Sequence, residues 1–183
     1  MFATFRSRAE AANAEVHRFT ERAAALRFVE DLLRSEGVAG PSGATAVWSD
    51  RGFLSAAERE ALAARVPGLG FQVTPESAAG ARLGVTQVDW AVAETGSLVV
   101  TTEAVAERLA SSLPEIHLAL ADPTRMLPTL SALLRELGPS PNRFLALITG
   151  PSRTADIERV LTIGVHGPRR LVIVFVEGLA GRN

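Results

Sequence analysis

Leu171-Val172-Ile173-Val174-Phe175-Val176 is an unbroken apolar run, and Ile116–Ala121 and residues 44–49 repeat that character in shorter or weaker form. A strand with one wet face alternates polar and apolar residues. A run apolar on both faces belongs to a strand covered on both sides, as in a parallel sheet between helices. Stretches with helical spacing lie between these runs. In residues 6–36 the positions Val16, Phe19, Ala23, Leu26, Val29 and Leu33 share one helical face, and in residues 122–138 so do Met126, Leu127, Leu130, Leu133, Leu134 and Leu137. Strands alternating with helices predict an α/β domain with a largely parallel sheet flanked by helices.

Capping chemistry sets further boundaries. Thr20 is placed to cap a helix that ends at Gly37, with Gly40-Pro41-Ser42-Gly43 as the following loop; residues before Thr20 form a separate helix or an arm. Ser55-Ala56-Ala57-Glu58 is a capping box, because the serine oxygen accepts from the glutamate's backbone N–H while the carboxylate reaches back. It predicts a helix over 56–66. Residues 71–74 read as a strand, and Pro75-Glu76-Ser77 opens a short helix ending near Gly84. Two apolar runs around Glu94-Thr95-Gly96-Ser97 predict strand, tight turn and strand. Residues 144–149 read as a further strand, and residues 150–158 as a loop entering a helical turn.

The chain has 183 residues, enough for one domain with a substantial core. Its 19 basic residues are all arginine and balance 20 acidic ones, which gives no concentrated positive footprint for nucleic acid. There is no lysine, cysteine or tyrosine, so thiolate and Schiff-base nucleophiles, a tyrosine acid, disulfides and cysteine-ligated clusters are excluded for these residues. With three histidines, a metal site would lean on carboxylates, and none is expected. No apolar stretch reaches the roughly 18–20 residues that span a bilayer, and no signal-peptide core follows Met1. The expectation is a cytoplasmic protein.

Ligands in open α/β sheets bind beyond the carboxyl ends of the strands, and three segments are candidates for such loops. In Glu94-Thr95-Gly96-Ser97 the glycine admits a close backbone approach and the hydroxyls offer hydrogen bonds. A glutamate there, if sheltered from water, would gain proton affinity suited to a general acid or base. The plain alternative is a hairpin turn with an exposed glutamate. In Gly150-Pro151-Ser152-Arg153-Thr154-Ala155-Asp156 a strand delivers hydroxyls and a guanidinium that suit an anion, or that simply cap a turn. His166, in Gly164-Val165-His166-Gly167-Pro168, is placed to titrate near neutrality or to make one structural hydrogen bond. Arg108 could clamp a carboxylate or form a surface ion pair. Glu115 stands two residues from His117, placed for one to orient the other, and His17 reads as a solvated helix residue.

Taken in order, Gly84-Val85-Thr86, Asp89, Ala93 through Val99, Arg108, Leu113-Pro114-Glu115-Ile116-His117, Thr149 through Glu158 and Gly164 through Pro168 resemble the lactate utilization protein C family, the LUD-domain group. The likeness is good over about residues 80–176 and looser elsewhere, and the amino-terminal region is shorter than is usual in the family. It implies a Rossmann-like fold of the NagB/RpiA/CoA-transferase type, shared with 5-formyltetrahydrofolate cyclo-ligase. The expected division is a helical segment over 1–40 and a LUD-type α/β domain over 41–183. The resemblance also implies work with two iron–sulfur partner proteins in oxidising L-lactate to pyruvate, with clusters in the partners and no cofactor in this chain. The working site is an anionic-ligand cleft: Glu94 as the catalytic candidate, with Thr95, Gly96, Ser97, Arg108, Gly150, Ser152, Arg153, Thr154, Asp156 and His166 as ligand-binding candidates. The alternative function is a stand-alone transferase or ligase-like enzyme acting on a CoA thioester, a sugar phosphate or a folate-like acid.

Overall fold

The apolar runs lie side by side in a six-stranded sheet, all of it parallel. The computed structural model describes residues 1–40, 43–101, 104–138, 144–157, 160–163 and 167–179. In chain order these residues form α1 (Phe2–Ala11), β1 (Ala14–Phe19), α2 (Arg22–Ser35), β2 (Ala46–Ser49), α3 (Ala56–Arg65), β3 (Leu69–Gly70) and α4 (Pro75–Ala79). Then follow β4 (Leu83–Gln87), β5 (Trp90–Val92), β6 (Ser97–Val100), α5 (Val105–Ser112), β7 (Ile116–Ala121) and a 3-10 turn at Pro123–Arg125. The chain continues through β8 (Met126–Leu127), α6 (Leu130–Leu137), β9 (Ala146–Ile148), β10 (Arg153–Ile157), β11 (Val160–Ile163) and β12 (Arg170–Val176).

The sheet order is β1-β12-β7-β4-β2-β3. Its central strands are buried on both faces because each face has its own cover. On one face Leu118, Leu120, Val172, Val174 and Val85 pack against Val29 and Leu33 of α2 and Leu62 of α3. On the other, Ile173, Phe175 and Ala119 pack against Phe5 and Ala9 of α1 and against a second sheet, of order β8-β5-β6-β9. Val92 and Val99 show that small sheet's outer face to Leu133 of α6. No helix among the described residues is long and apolar enough to cross a membrane.

The capping box at Ser55 forms with both reciprocal bonds, and the β5–β6 hairpin closes around Glu94-Thr95-Gly96 as expected. Several local expectations are corrected. Residues 14–19 are a strand and not a helical face: β1 pairs with β12, so the segment 1–40 is not wholly helical and its strand completes the sheet of the segment that follows. The cap of α2 is Glu21 with no side-chain bond, and Thr20 takes no part. Residues 71–74 lead into α4, the strand lying earlier at Leu69–Gly70, and α4 stops well before Gly84, which belongs to β4. The helix expected over 122–138 begins only at Leu130, because Met126–Leu127 pairs with β5. Residues 153–157 form a strand antiparallel to β11 where a helical turn was expected. His17 therefore sits on a strand, half-buried, with its ring 4.4 Å from that of Phe28.

Candidate functional site

Adjacent strands β2 and β4 lead in opposite directions, β2 outward to β3 and β4 across to β7. The carboxyl ends of such a pair are the usual ligand crevice of an open sheet. Here the chain's own side chains fill it. The Arg51 guanidinium donates to Asp89 Oδ1 at 2.8 Å and to the Gln87 carbonyl, and its Nε lies 3.4 Å from a Glu107 carboxylate oxygen. Asp89 Oδ2 accepts from the Thr101 backbone N–H at 2.7 Å and from its hydroxyl at 3.0 Å. Asp50 accepts from Arg59 at 2.7 Å and from the backbone of Phe53 at 2.9 Å. Sequence reasoning missed this cluster. Its one visible signal is a polar pair, Asp50-Arg51, directly after an apolar strand, with Asp89 placed likewise after β4.

One open space lies near the amino-terminal ends of β7 and β12. A cleft of about 290 Å³ is bounded by Ser111 and Ser112 of α5, His117 of β7, Leu147 and Ile148 of β9, and the paired loops at Gly150-Pro151-Ser152 and Gly167-Pro168. The loops are tied by the Ser152 N–H donating to the Pro168 carbonyl at 2.8 Å. Alongside it, sharing Ser111, Ser112 and Ile148, is a second hollow of about 180 Å³ lined by Arg108 and Phe144. Together they make one groove between α5 and β9. Arg108 lies over the Phe144 ring, 4.9 Å from guanidinium carbon to ring centroid, and its buried Nε has no hydrogen-bond acceptor.

At the inner wall, His117 is buried to 1 % exposure, with Nε2 2.8 Å from the Thr86 hydroxyl. Its partner is thus Thr86 and not Glu115, which pairs with Arg82. Burial alone pushes the imidazole down to about 4, so it is neutral at physiological pH. Its Nδ1 is buried and has no partner.

The expected site residues separate into three groups. Arg108, Gly150 and Ser152 line the groove. Gly96, Arg153 and the backbone of Gly150 meet the carboxyl end of α1, with Arg153 donating to the Ala12 carbonyl at 2.9 Å, while Ser97 and Thr149 share a 2.6 Å hydroxyl contact between β6 and the end of β9. A Cβ on Gly96 would stand 2.4 Å from the Ala9 nitrogen and one on Gly150 would stand 2.1 Å from the Ala12 oxygen, so these glycines let α1 sit down. Glu94 and Thr95 are exposed at the hairpin tip; Glu94 accepts from the Leu130 N–H at 2.6 Å, capping α6, and is not sheltered from water. His166 and the side chains of Thr154 and Asp156 lie outside the described residues. Among the described residues no cluster of metal-ligating side chains forms.

The LUD domain family matches residues 2–176. Lactate utilization protein C of Halalkalibacterium halodurans is 35% identical over 108 residues, 56% of this chain and 47% of that protein. Lactate utilization protein C 1 of Bacillus mycoides is 32% identical over 106 residues, 55% of this chain and 45% of that one. The uncharacterized protein YkgG of Escherichia coli is 33% identical over 103 residues, 53% and 45% of the two chains. The chain thus spans about half the length of these relatives. A crystal structure of a DUF162 family protein from Deinococcus radiodurans superposes with a TM-score of 0.56 at 18% identity, covering 97% of this chain and 96% of that one, a likeness of fold.

Proposed function

The chain belongs to the LUD domain family, and on that premise we propose that it serves lactate utilization in the cytoplasm, as a subunit without a redox centre in a system that oxidises L-lactate to pyruvate. The observation that carries this reading is the family match over residues 2–176 together with relatives named lactate utilization protein C. No cysteine stands anywhere in the 183 residues, so electron transfer through iron–sulfur clusters falls to partner proteins. This chain's part is to bind a small anionic ligand and to assemble with those partners. Arg108, Gly150 and Ser152 support the ligand role because they line one groove. The enzyme alternative, a transferase or ligase-like activity on a CoA thioester, sugar phosphate or folate-like acid, lacks comparable support. The crevice such an enzyme would use at the strand carboxyl ends is occupied by Arg51 and its carboxylate partners.

Deletion of the gene, with growth on L-lactate as sole carbon source and co-purification of the tagged chain as readouts, tests the reading. Loss of growth on lactate but not on pyruvate, with iron–sulfur proteins retained on the tag, is expected. Unimpaired lactate growth, or a tagged chain that brings down no iron–sulfur protein, overturns it.

A further inference from the structure

The groove between α5 and β9 holds two hydrogen-bond donors that the fold itself does not use. Arg108 is the one partly buried arginine among the described residues whose guanidinium has no oxygen acceptor; the others pair with carboxylates or carbonyls, as Arg51, Arg22 and Arg170 do. Such a group is costly to leave unmatched. The second donor is His117. Thr86 is 1 % exposed and its hydroxyl has no partner but His117 Nε2, so its proton points to that nitrogen and the ring proton falls on Nδ1. That Nδ1–H is buried and unpartnered, on a residue that lines the cleft.

We propose that this groove is a binding site for a small organic monocarboxylate, whose oxygens are held by the Arg108 guanidinium and the His117 Nδ1–H while its hydrocarbon part lies against Leu147, Ile148 and Leu171. Both anchors donate, so both call for oxygen acceptors and neither serves an amine. No acidic side chain lines either part of the groove among the described residues. The neutral imidazole leaves Arg108 as the single positive charge among the described residues that line the groove, which matches a monoanion better than a phosphate dianion. The cleft, about 290 Å³, falls just below the roughly 300–1,000 Å³ span of small-molecule sites, so the ligand is small. The inference rests on the reading of this chain as a binder of a small anion and names that anion's class.

The test titrates the purified full chain with pyruvate, L-lactate, ketoisocaproate and inorganic phosphate. It is read by calorimetry and by the proton–nitrogen correlations of the three histidine rings. At least one carboxylate is expected to shift the His117 signals saturably and to leave His17, on β1 against Phe28, in place. Arg108→Gln is expected to weaken that binding by about tenfold or more, the size of a lost charge-assisted hydrogen bond. Arg108→Lys restores part of it, and Arg135→Gln on the exposed face of α6 changes nothing. If Arg108→Gln proves unfolded by circular dichroism, the lysine variant and the His117 shifts decide alone. Carboxylate binding that leaves His117 unmoved, phosphate binding as tight as any carboxylate, or no binding by any probe overturns the site. A strain that needs the gene for lactate growth while its protein binds none of the probes sinks this inference and leaves the functional reading standing.

Discussion

Burial holds the His117 imidazole at about 4, well below its ordinary 6.5, and the sign of its effect on stability follows from that depression. Above pH 6.5 both folded and unfolded rings are neutral and the fold keeps its full stability. Between there and about pH 4 the unfolded ring takes up a proton that the folded ring refuses, so stability falls as pH falls. The slope is about 1.4 kcal/mol per pH unit inside that window. Denaturant unfolding at pH 7 and pH 5 is expected to differ by about 2 kcal/mol, and His117→Asn to flatten most of that difference; equal slopes would show that the buried ring takes its proton in place. Gly150 makes a second prediction at this scale. It combines φ of +74° with an Ala12 oxygen 2.1 Å from any added Cβ, whereas Gly52, at +92°, has nothing within 4 Å. Gly150→Ala is expected to cost at least about 2 kcal/mol and Gly52→Ala only about 1, from backbone strain. Similar losses from the two in thermal melts would mean that α1 yields to the new methyl.

Among the elements, α3 and α6 show how a helix start is written and where sequence leaves it incomplete. The box at Ser55 is local, and its Glu58 carboxyl is held down to about 2 chiefly by the Arg22 guanidinium, with Ser55 adding to it. At α6 the local cap is Thr129, whose hydroxyl accepts from the Ala132 N–H at 3.1 Å, but Leu130's N–H is met by Glu94 from the β5–β6 hairpin. The sequence makes Glu94 a polar residue between apolar runs and says nothing of a helix start thirty-six positions later, because that contact exists only once the small sheet has formed. Glu94→Gln is expected to cost about 0.5–1 kcal/mol, through a weaker cap and the lost charge at a helix amino end, and to leave growth on lactate intact. Abolished growth with a variant as stable as the parent would give Glu94 a part in the chemistry.

In the molecule as a whole, the large sheet lies between α2 and α3 on one face and α1 with the small sheet on the other, with α6 outermost. α5 links the two ends of the sheet. Glu107 faces the Arg51 cluster at the strand carboxyl ends, while the next residue, Arg108, faces the groove, and Ser111 and Ser112 reach the cleft near the amino ends. Arg51→Ala would take the guanidinium from the Asp89 carboxylate, with about 4 % of its side chain exposed, and from beside Glu107. The expected loss is about 3–5 kcal/mol in denaturant unfolding, the usual result of stranding a buried charge. A loss under about 1 kcal/mol would mean that water enters the switch point and hydrates the carboxylates.

The sequence by itself determined the layer architecture, since runs such as 171–176 have no stable place except a strand covered on both faces. It also determined the Ser55 cap and the β5–β6 turn, whose causes lie within a few residues of each other. It brought Arg108, Gly150 and Ser152 forward as binding candidates by residue type alone. Only the tertiary structure decided that β1 joins β12, a pairing between opposite ends of the chain, and that Gly96 and Gly150 serve α1 while Glu94 serves α6. It also decided where the groove opens. The carboxyl ends of the strands are closed by Arg51 and Asp89, 38 positions apart, while Arg108 and His117, each with an unpartnered donor, line the groove. A local pattern reports what a residue can do; which partners it meets, and which it is left without, is set by contacts between distant parts of the chain.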